Sequence, residues 1–361
     1  MAQALFHFPS DWATRLRAST WRPTMDIVQA THPIQLAVCG GALIFDVIGL
    51  AWLNRFKASK TSKPIKDSGD GGGGDSASSW SWPVQRAAFW VQIAGTLGLG
   101  AWLDRRYPIH DLFSPVRNYC IAFPIGLLDF YFSDVRRVPL RALGGAALWC
   151  STGVIRKALV GNFIGEGLTK IVTDLSPLSL AKEYFRFLGA VPFIGILSDL
   201  IFSPMHRLAH NKAVYHQHHK THHEYTNRLT SLVLYYGNFL DDWLMPASTI
   251  VGGFVYIWFT AKLGFEDSAL TNVSEMLFLV NTLFSHAHDL RCANLVLPFL
   301  PEGLNFAAYH RVHHLSPGNN FGLTRPSDLV WDKILGHKTI LDFSPELEKL
   351  QGEADSRVKR S

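Results

Sequence analysis

Charge is scarce in this chain of 361 residues: Asp, Glu, Lys and Arg make up 17% of it, against roughly 25% in soluble domains. Such a deficit, with eleven Trp and a mean hydropathy of +0.10, argues against a wholly water-exposed protein. Cysteine is scarce too. Cys39, Cys120, Cys150 and Cys292 are scattered without a C-x-x-C pair, which excludes a disulfide framework and leaves packed, reduced thiols as the expectation. No Rossmann fingerprint and no haem-binding His-Pro-Gly-Gly is present, and the run Gly71–Gly74 lacks the Lys-Ser/Thr of a phosphate loop. Nucleic-acid motifs are missing as well. The net charge of +5 comes from short basic loops and from Arg357, Lys359 and Arg360, a distribution that suits the cytosolic side of a membrane. No cleavable signal peptide is expected.

Long apolar runs are what the chain has instead. Residues 1–32 mix Trp12, Trp21 and Phe8 with Arg15, Arg17 and Arg22, and read as an interfacial segment. Residues 33–185 form an expected transmembrane region interrupted by a flexible linker, 55–79. Candidate spans are Pro33–Leu53, Pro83–Leu103, Tyr119–Phe132, Leu140–Val160 and Phe187–Met205, with Pro246–Leu263 and Leu270–Ser285 as a hairpin. A domain over 186–345 and a basic, polar tail over 346–361 complete the division. With the basic stretches 54–66 and 134–141 placed in the cytosol, the span ending at Met205 also emerges there. The expected architecture is all-α: six or seven membrane helices carrying a cytosolic, histidine-rich cap.

Histidine is the outlier. Twelve of the 16 lie between residues 206 and 314. His206 and His210 are spaced i, i+4, one turn apart on a helix. His219-x-x-His222-His223 and His310-x-x-His313-His314 each put three imidazoles on one helical face, and His286 and His288 lie between them. Composition alone predicts about 0.03 copies of H-x-x-H-H, in the spirit of motif false-positive estimates; two are present. Eight to ten imidazoles are too many for one ion and suit two, each with an open position. Imidazole alone does not choose among iron, zinc, copper and nickel. Zinc has no redox chemistry, so a membrane site acting on inert alkyl chains points to iron. A zinc-binding transporter or sensor is the rival from another class. His216 and His218 sit beside a better-spaced set and are read as surface or supporting residues; His7, His32, His110 and His337 are ordinary.

These boxes, following apolar spans, resemble the fatty acid hydroxylase/sterol desaturase superfamily over roughly residues 186–345. Asp199, seven residues before His206, matches an acidic position of that family, and is expected to hold an imidazole N–H. His288-Asp289, Asn320-Phe321-Gly322 and Trp331-Asp332-Lys333-Ile334-Leu335-Gly336 resemble segments of sterol C-5 desaturases. Two places depart: Asn238-Phe239-Leu240-Asp241-Asp242 lacks the frequent His-Pro-x-Glu, and Leu290 replaces a Gly. The resemblance implies an O2-dependent, monooxygenase-like di-iron hydroxylase or desaturase in the endoplasmic reticulum membrane. Its metal ligands would be His206, His210, His219, His222, His223, His286, His288, His310, His313 and His314. Its electrons would come from NAD(P)H through an external cytochrome b5 and reductase, and its substrate would be hydrophobic.

Overall fold

A computed structural model describes residues 29–60, 80–164, 176–226, 228–263, 270–300 and 305–336, with Val172, Asp174, Thr339 and Lys349 besides. The expected interfacial segment up to residue 28, linker residues 61–79 and, Lys349 apart, the tail 346–361 lie outside the described residues. Among the described residues there are eleven α-helices and no strand, as the apolar and histidine periodicities require. They are α1 (Pro33–Lys60), α2 (Trp82–Arg106), α3 (Ser114–Phe132), α4 (Ala142–Ile164), α5 (Pro177–Ala209) and α6 (Lys212–His218). Then follow α7 (Phe239–Lys262), α8 (Asn272–Leu283), α9 (Ala293–Val296), α10 (Phe306–Leu315) and α11 (Arg325–Leu335).

Among the described residues, three helices are long and apolar enough to cross a membrane: Pro33–Ser59 of α1, Pro177–Ala209 of α5 and Phe239–Lys262 of α7. That is fewer than the six or seven spans expected. The difference has a physical cause. α2, α3 and α4 carry charges that the bundle pairs internally: Arg117 on α3 grips Asp104 on α2 at 2.8 and 2.9 Å, and Lys157 and Arg156 on α4 each meet Glu275 on α8 at 3.1 Å. α8 has only 12 residues, about 18 Å at 1.5 Å per residue, so the second arm of the expected hairpin stops well short of a bilayer core. At the outer surface, Ile44, Phe45, Ile48 and Trp52 on α1, Phe185 and Phe193 on α5, and Phe259 on α7 are exposed. Rows of exposed apolar side chains are costly in water and natural against lipid.

Inside, Phe89, Phe132, Phe187 and Phe284 are buried together, with Phe89 edge-on to Phe132 at 5.6 Å and to Phe284 at 5.7 Å. α7 packs along both α4 and α5, and α11 docks on the end of α5. α5 has 33 residues, about 50 Å of helix, so its last turns extend beyond the roughly 30 Å of a bilayer core and carry the first histidine box.

Candidate metal centre

The three boxes are positioned by different local structures. His206 lies in the last turn of α5, and His210 is its C-cap, its N–H bonded to the His206 carbonyl. The second box is not one continuous helix, contrary to its spacing. α6 ends at His218, where the N–H groups of His219 and Lys220 both close on the Tyr215 carbonyl; His222 and His223 sit in the 3-10 turn His222–Glu224. The third box is helical: Asn305 caps α10 by accepting from the N–H groups of Ala307 and Ala308, both at 3.1 Å. His286 ends the 3-10 turn Phe284–His286 that follows α8.

The fold brings nine imidazoles into two adjoining sets. His206, His210, His219, His223 and His313 form one; His222, His286, His310 and His314 form the other, and within each set the ligand atoms lie within 4.8 Å of one another. In the set of five, Nε2–Nε2 separations are 2.9 Å for His206–His219, 3.0 Å for His219–His223, 3.1 Å for His210–His313 and 3.2 Å for His223–His313. In the set of four they are 3.0 Å for His286–His310 and 3.2 Å for His222–His286 and His310–His314. The sequence-adjacent pairs His222–His223 and His313–His314 split between the sets. The i, i+4 partners His219/His223 and His310/His314 stay together.

The backs of the rings are held as tightly as the fronts. His206 Nδ1 meets the Phe321 carbonyl at 2.5 Å, His313 Nδ1 the Asn319 carbonyl at 2.8 Å, and His314 Nδ1 the Tyr225 carbonyl at 3.1 Å. His219 Nδ1 meets Asp241 Oδ1 at 2.9 Å. A carbonyl or carboxylate oxygen only accepts, so each of these four rings donates from Nδ1 and turns Nε2 inward. Asp241 stands in the stretch where the sequence lacks the family's His-Pro-x-Glu, and supplies the carboxylate from the first turn of α7.

Asn320-Phe321-Gly322 builds the loop that supplies two of those carbonyls. Asn320 has φ 51°, a left-handed conformation that Asn tolerates. The Phe321 ring packs against His210 and His313, each at 5.4 Å, and takes the Arg207 guanidinium over its face. Gly322 is crowded: a Cβ there would lie 2.8 Å from Asp199 Oδ2. Two buried carboxylates clamp the loop. Asp199 accepts from Leu323 N at 2.8 Å, Thr324 N at 2.7 Å and Thr324 Oγ1 at 2.6 Å. Asp328 accepts from Gly322 N, Ser203 Oγ and Tyr309 Oη. The structure thus puts Asp199 one step behind the rings: the His206 N–H goes to Phe321, and Asp199 holds the chain just beyond it. The Trp-Asp stretch ties the same parts from outside, through Trp331 Nε1 to the Leu200 carbonyl and Asp332 to Arg207, both on or from α5; Gly336, with φ 73°, closes α11.

His288 is not brought to either set; with Asp129 and Cys292 it forms a separate third group whose ligand atoms lie within 4.8 Å of one another. Its Nδ1 meets Asp129 Oδ1 at 2.6 Å and its Nε2 meets Gln85 Oε1 at 3.1 Å. Gln85 donates its amide to the Trp80 carbonyl, which leaves its oxygen as the atom facing His288. Asp129 also accepts from Thr230 Oγ1 and Ser231 N, so it knots α3 to the strands of loop before and after the histidines. Sequence alone assigns Asp129, Asp241 and Asp328 no role in holding the histidines; only long-range pairing reveals it. His216 and His218 lie on α6 outside both sets.

A family model described as Fatty acid hydroxylase matches residues 191–337. Residues 191–337 are therefore similar to the fatty acid hydroxylase family. That family is generally iron-dependent, and the similarity implies an oxidoreductase of the membrane-hydroxylase kind. No curated protein matches the chain, and no solved structure does.

Burial, reinforced by neighbouring imidazoles, lowers the pKa of seven of these histidines. His210 falls to about 3 and His222 to about 4, and His223, His286, His310, His313 and His314 fall well below the ordinary value. Neutral rings with lone pairs 2.9–3.2 Å apart repel one another unless a cation lies between them. Ligand nitrogens at about 2.0–2.1 Å from a metal ion sit about 2.9 Å apart at right angles and about 3.3 Å apart tetrahedrally. The donor sets therefore fit two first-row transition-metal ions.

Proposed function

We propose that this protein is a membrane-bound non-haem di-iron oxygenase that hydroxylates or desaturates a hydrophobic lipid, sterol or terpenoid/polyketide-like substrate with O2. One observation carries the reading: nine imidazoles gather their ring nitrogens into two adjoining sets, within 4.8 Å of one another in each, beside a cavity. His206, His210, His219, His223 and His313 would hold one iron, and His222, His286, His310 and His314 the other. Hydroxylation follows R–H + O2 + 2e⁻ + 2H⁺ → R–OH + H2O; desaturation removes two hydrogens, with two waters formed. When bound, the iron pair supplies the reduction of O2 and the removal of hydrogen from an unactivated carbon. The chain's own residues orient and insulate. Asp241 and the clamped 319–322 loop fix ring tautomers, a role whose loss typically weakens metal binding 10–100-fold. His288, paired with Asp129, would position the 286–288 turn outside the two iron sites.

Electrons are proposed to come from NAD(P)H through an external cytochrome b5 and its reductase, at the cytosolic face of the endoplasmic reticulum membrane. The basic turn around Arg137 and Arg141 supports that orientation. Tyr225, whose carbonyl holds His314, donates its hydroxyl to the Arg137 carbonyl, and Arg141 stacks on Tyr236 at 4.1 Å. The metal centre and a basic surface thus share one end of the bundle, as the positive-inside rule expects of a cytosolic end.

The test is a purification from membranes with elemental analysis, oxygen uptake in the presence of NADH, reductase and cytochrome b5, and comparison of host lipids by mass spectrometry. Two irons per chain, oxygen consumption, and a product with one added oxygen or two fewer hydrogens are expected. Zinc in place of iron, with no oxygen consumed, would return the chain to the transporter or sensor class.

A further inference from the structure

α11 wears its polarity the wrong way round for a helix in water. Its inward face is polar: Ser327 Oγ donates to the Asp199 carbonyl at 2.8 Å, Asp328 accepts from Ser203 Oγ and Tyr309 Oη, and Asp332 pairs with Arg207 at 2.7 Å. Trp331 joins that face through its Nε1 bond to the Leu200 carbonyl. The outward face carries Pro326, Leu329, Val330, Lys333 and Ile334, all exposed. Their spacing, i, i+3, i+4, i+7 and i+8, makes them one stripe along the helix. Leu329 is 38%, Val330 47% and Ile334 63% exposed. A surface helix in water does the reverse: it buries its apolar stripe and turns its polar face out.

Where the helix is docked decides what covers the stripe. Its inward face grips Leu200, Ser203 and Arg207, which follow one face of the last turns of α5, a helix long and apolar enough to cross a membrane. Phe193 and Ile196 precede them on that same face of α5, at the same spacing of three or four residues, and both are exposed. α11 therefore sits over the end of an α5 face whose other part looks outward as hydrocarbon, and its own stripe takes over from it. Charge then favours lipid over a second copy of the chain. No acidic residue lies on the stripe, so a two-fold contact through it would bury Lys333 without a partner. At a membrane surface the Lys333 stem stays with the apolar side chains while its ammonium reaches the phosphates.

We infer that α11 is an interfacial helix whose outward stripe lies in the bilayer, at the level where acyl chains meet headgroups. The same helix holds Gly322 through Asp328. The loop whose carbonyls stand behind His206 and His313 is thus separated from lipid by about one helix diameter, 10–12 Å. The histidine sets are seated at the edge of the bilayer, not in a cap standing clear of it. This seating does not depend on which metal the histidines take.

The experiment uses the full chain in phosphatidylcholine nanodiscs. The photoreactive residue p-benzoylphenylalanine (Bpa) is installed singly, as Val330→Bpa or Ile334→Bpa on the stripe. Ile48→Bpa, on the exposed apolar face of α1, marks lipid, and Lys212→Bpa, exposed on α6, marks water. After irradiation, intact mass reads the fraction of chains that carry one phospholipid. Val330→Bpa and Ile334→Bpa should take lipid to the extent that Ile48→Bpa does, with that adduct lost in Lys212→Bpa. The inference is overturned if either stripe position falls to the Lys212→Bpa level, or if a covalent dimer forms in place of the lipid adduct. If Ile48→Bpa takes no lipid either, the membrane-spanning reading of α1 falls with it.

Discussion

The two imidazole sets are neighbours with different support. The set of five leans on carboxylates: Asp241 directly, and Asp199 and Asp328 through the loop whose carbonyls meet His206 and His313. The set of four leans on neutral groups, the Tyr225 carbonyl behind His314 and the Ser285 hydroxyl behind His286; each set also has one ring whose buried Nδ1 has no partner, His223 in the set of five and His310 in the set of four. A carboxylate behind an imidazole raises its basicity and fixes its ring more firmly than a hydroxyl does. The difference teaches that one metal position is braced by the tertiary fold and the other mostly by the local turns that carry it.

Breaking the comparison outright should have the largest effect. His313→Ala removes a ring from the braced set, and His222→Ala one from the other; each should abolish turnover, by roughly a thousandfold or more if oxygen chemistry needs both ions. Membrane insertion should persist, checked by carbonate extraction, and iron analysis of each variant reports which set has emptied. A fully active His313→Ala, His222→Ala double variant would strike both from the ligand list. Next in size, Asp241→Asn should lower metal affinity about 10–100-fold, measured by chelator competition, and selectively for the braced set. If it releases both irons equally, the two sets are not independently supported.

Asp199→Asn is a smaller perturbation, because it keeps the shape and loses the charge-assisted bonds to residues 323–324. A loss of about 1–3 kcal/mol is expected for a buried carboxylate deprived of such bonds, seen as a lower melting temperature in detergent and as faster iron release. Unchanged iron release would separate the clamp from the metal centre. The smallest effect is assigned to His288→Ala, which should retain two irons per chain while reducing activity modestly. Loss of an iron would make His288 a ligand and redraw the set of four.

How much of this was legible in advance differs by element. The all-α class was readable from apolar runs, and α1, α5 and α7 fall where such runs were marked, because a lipid-facing helix must be apolar around most of its surface. α8 was misread as an equal arm of a hairpin: its apolar residues are buried inside the bundle instead of facing lipid, and a run of hydrophobic letters does not distinguish the two. The third histidine box was read as helical and is. The second was read the same way and is a helix end followed by a turn, since spacing fixes which residues can share a face only while the helix continues.

Sequence by itself determined the chemistry available. Its histidine spacing put imidazoles one turn apart on α5 and α10, and its scarcity of charge sent three helices toward lipid. Tertiary structure alone decided the partition. Adjacent residues on a helix point about 100° apart, from 3.6 residues per turn, so His313 and His314 must face different neighbours, and which ones depends on elements about ninety residues away in the chain, at His223 and Tyr225. The same holds for Asp199 and Asp241. A side chain's identity states what it can bind, and only the packing of distant helices states what it meets.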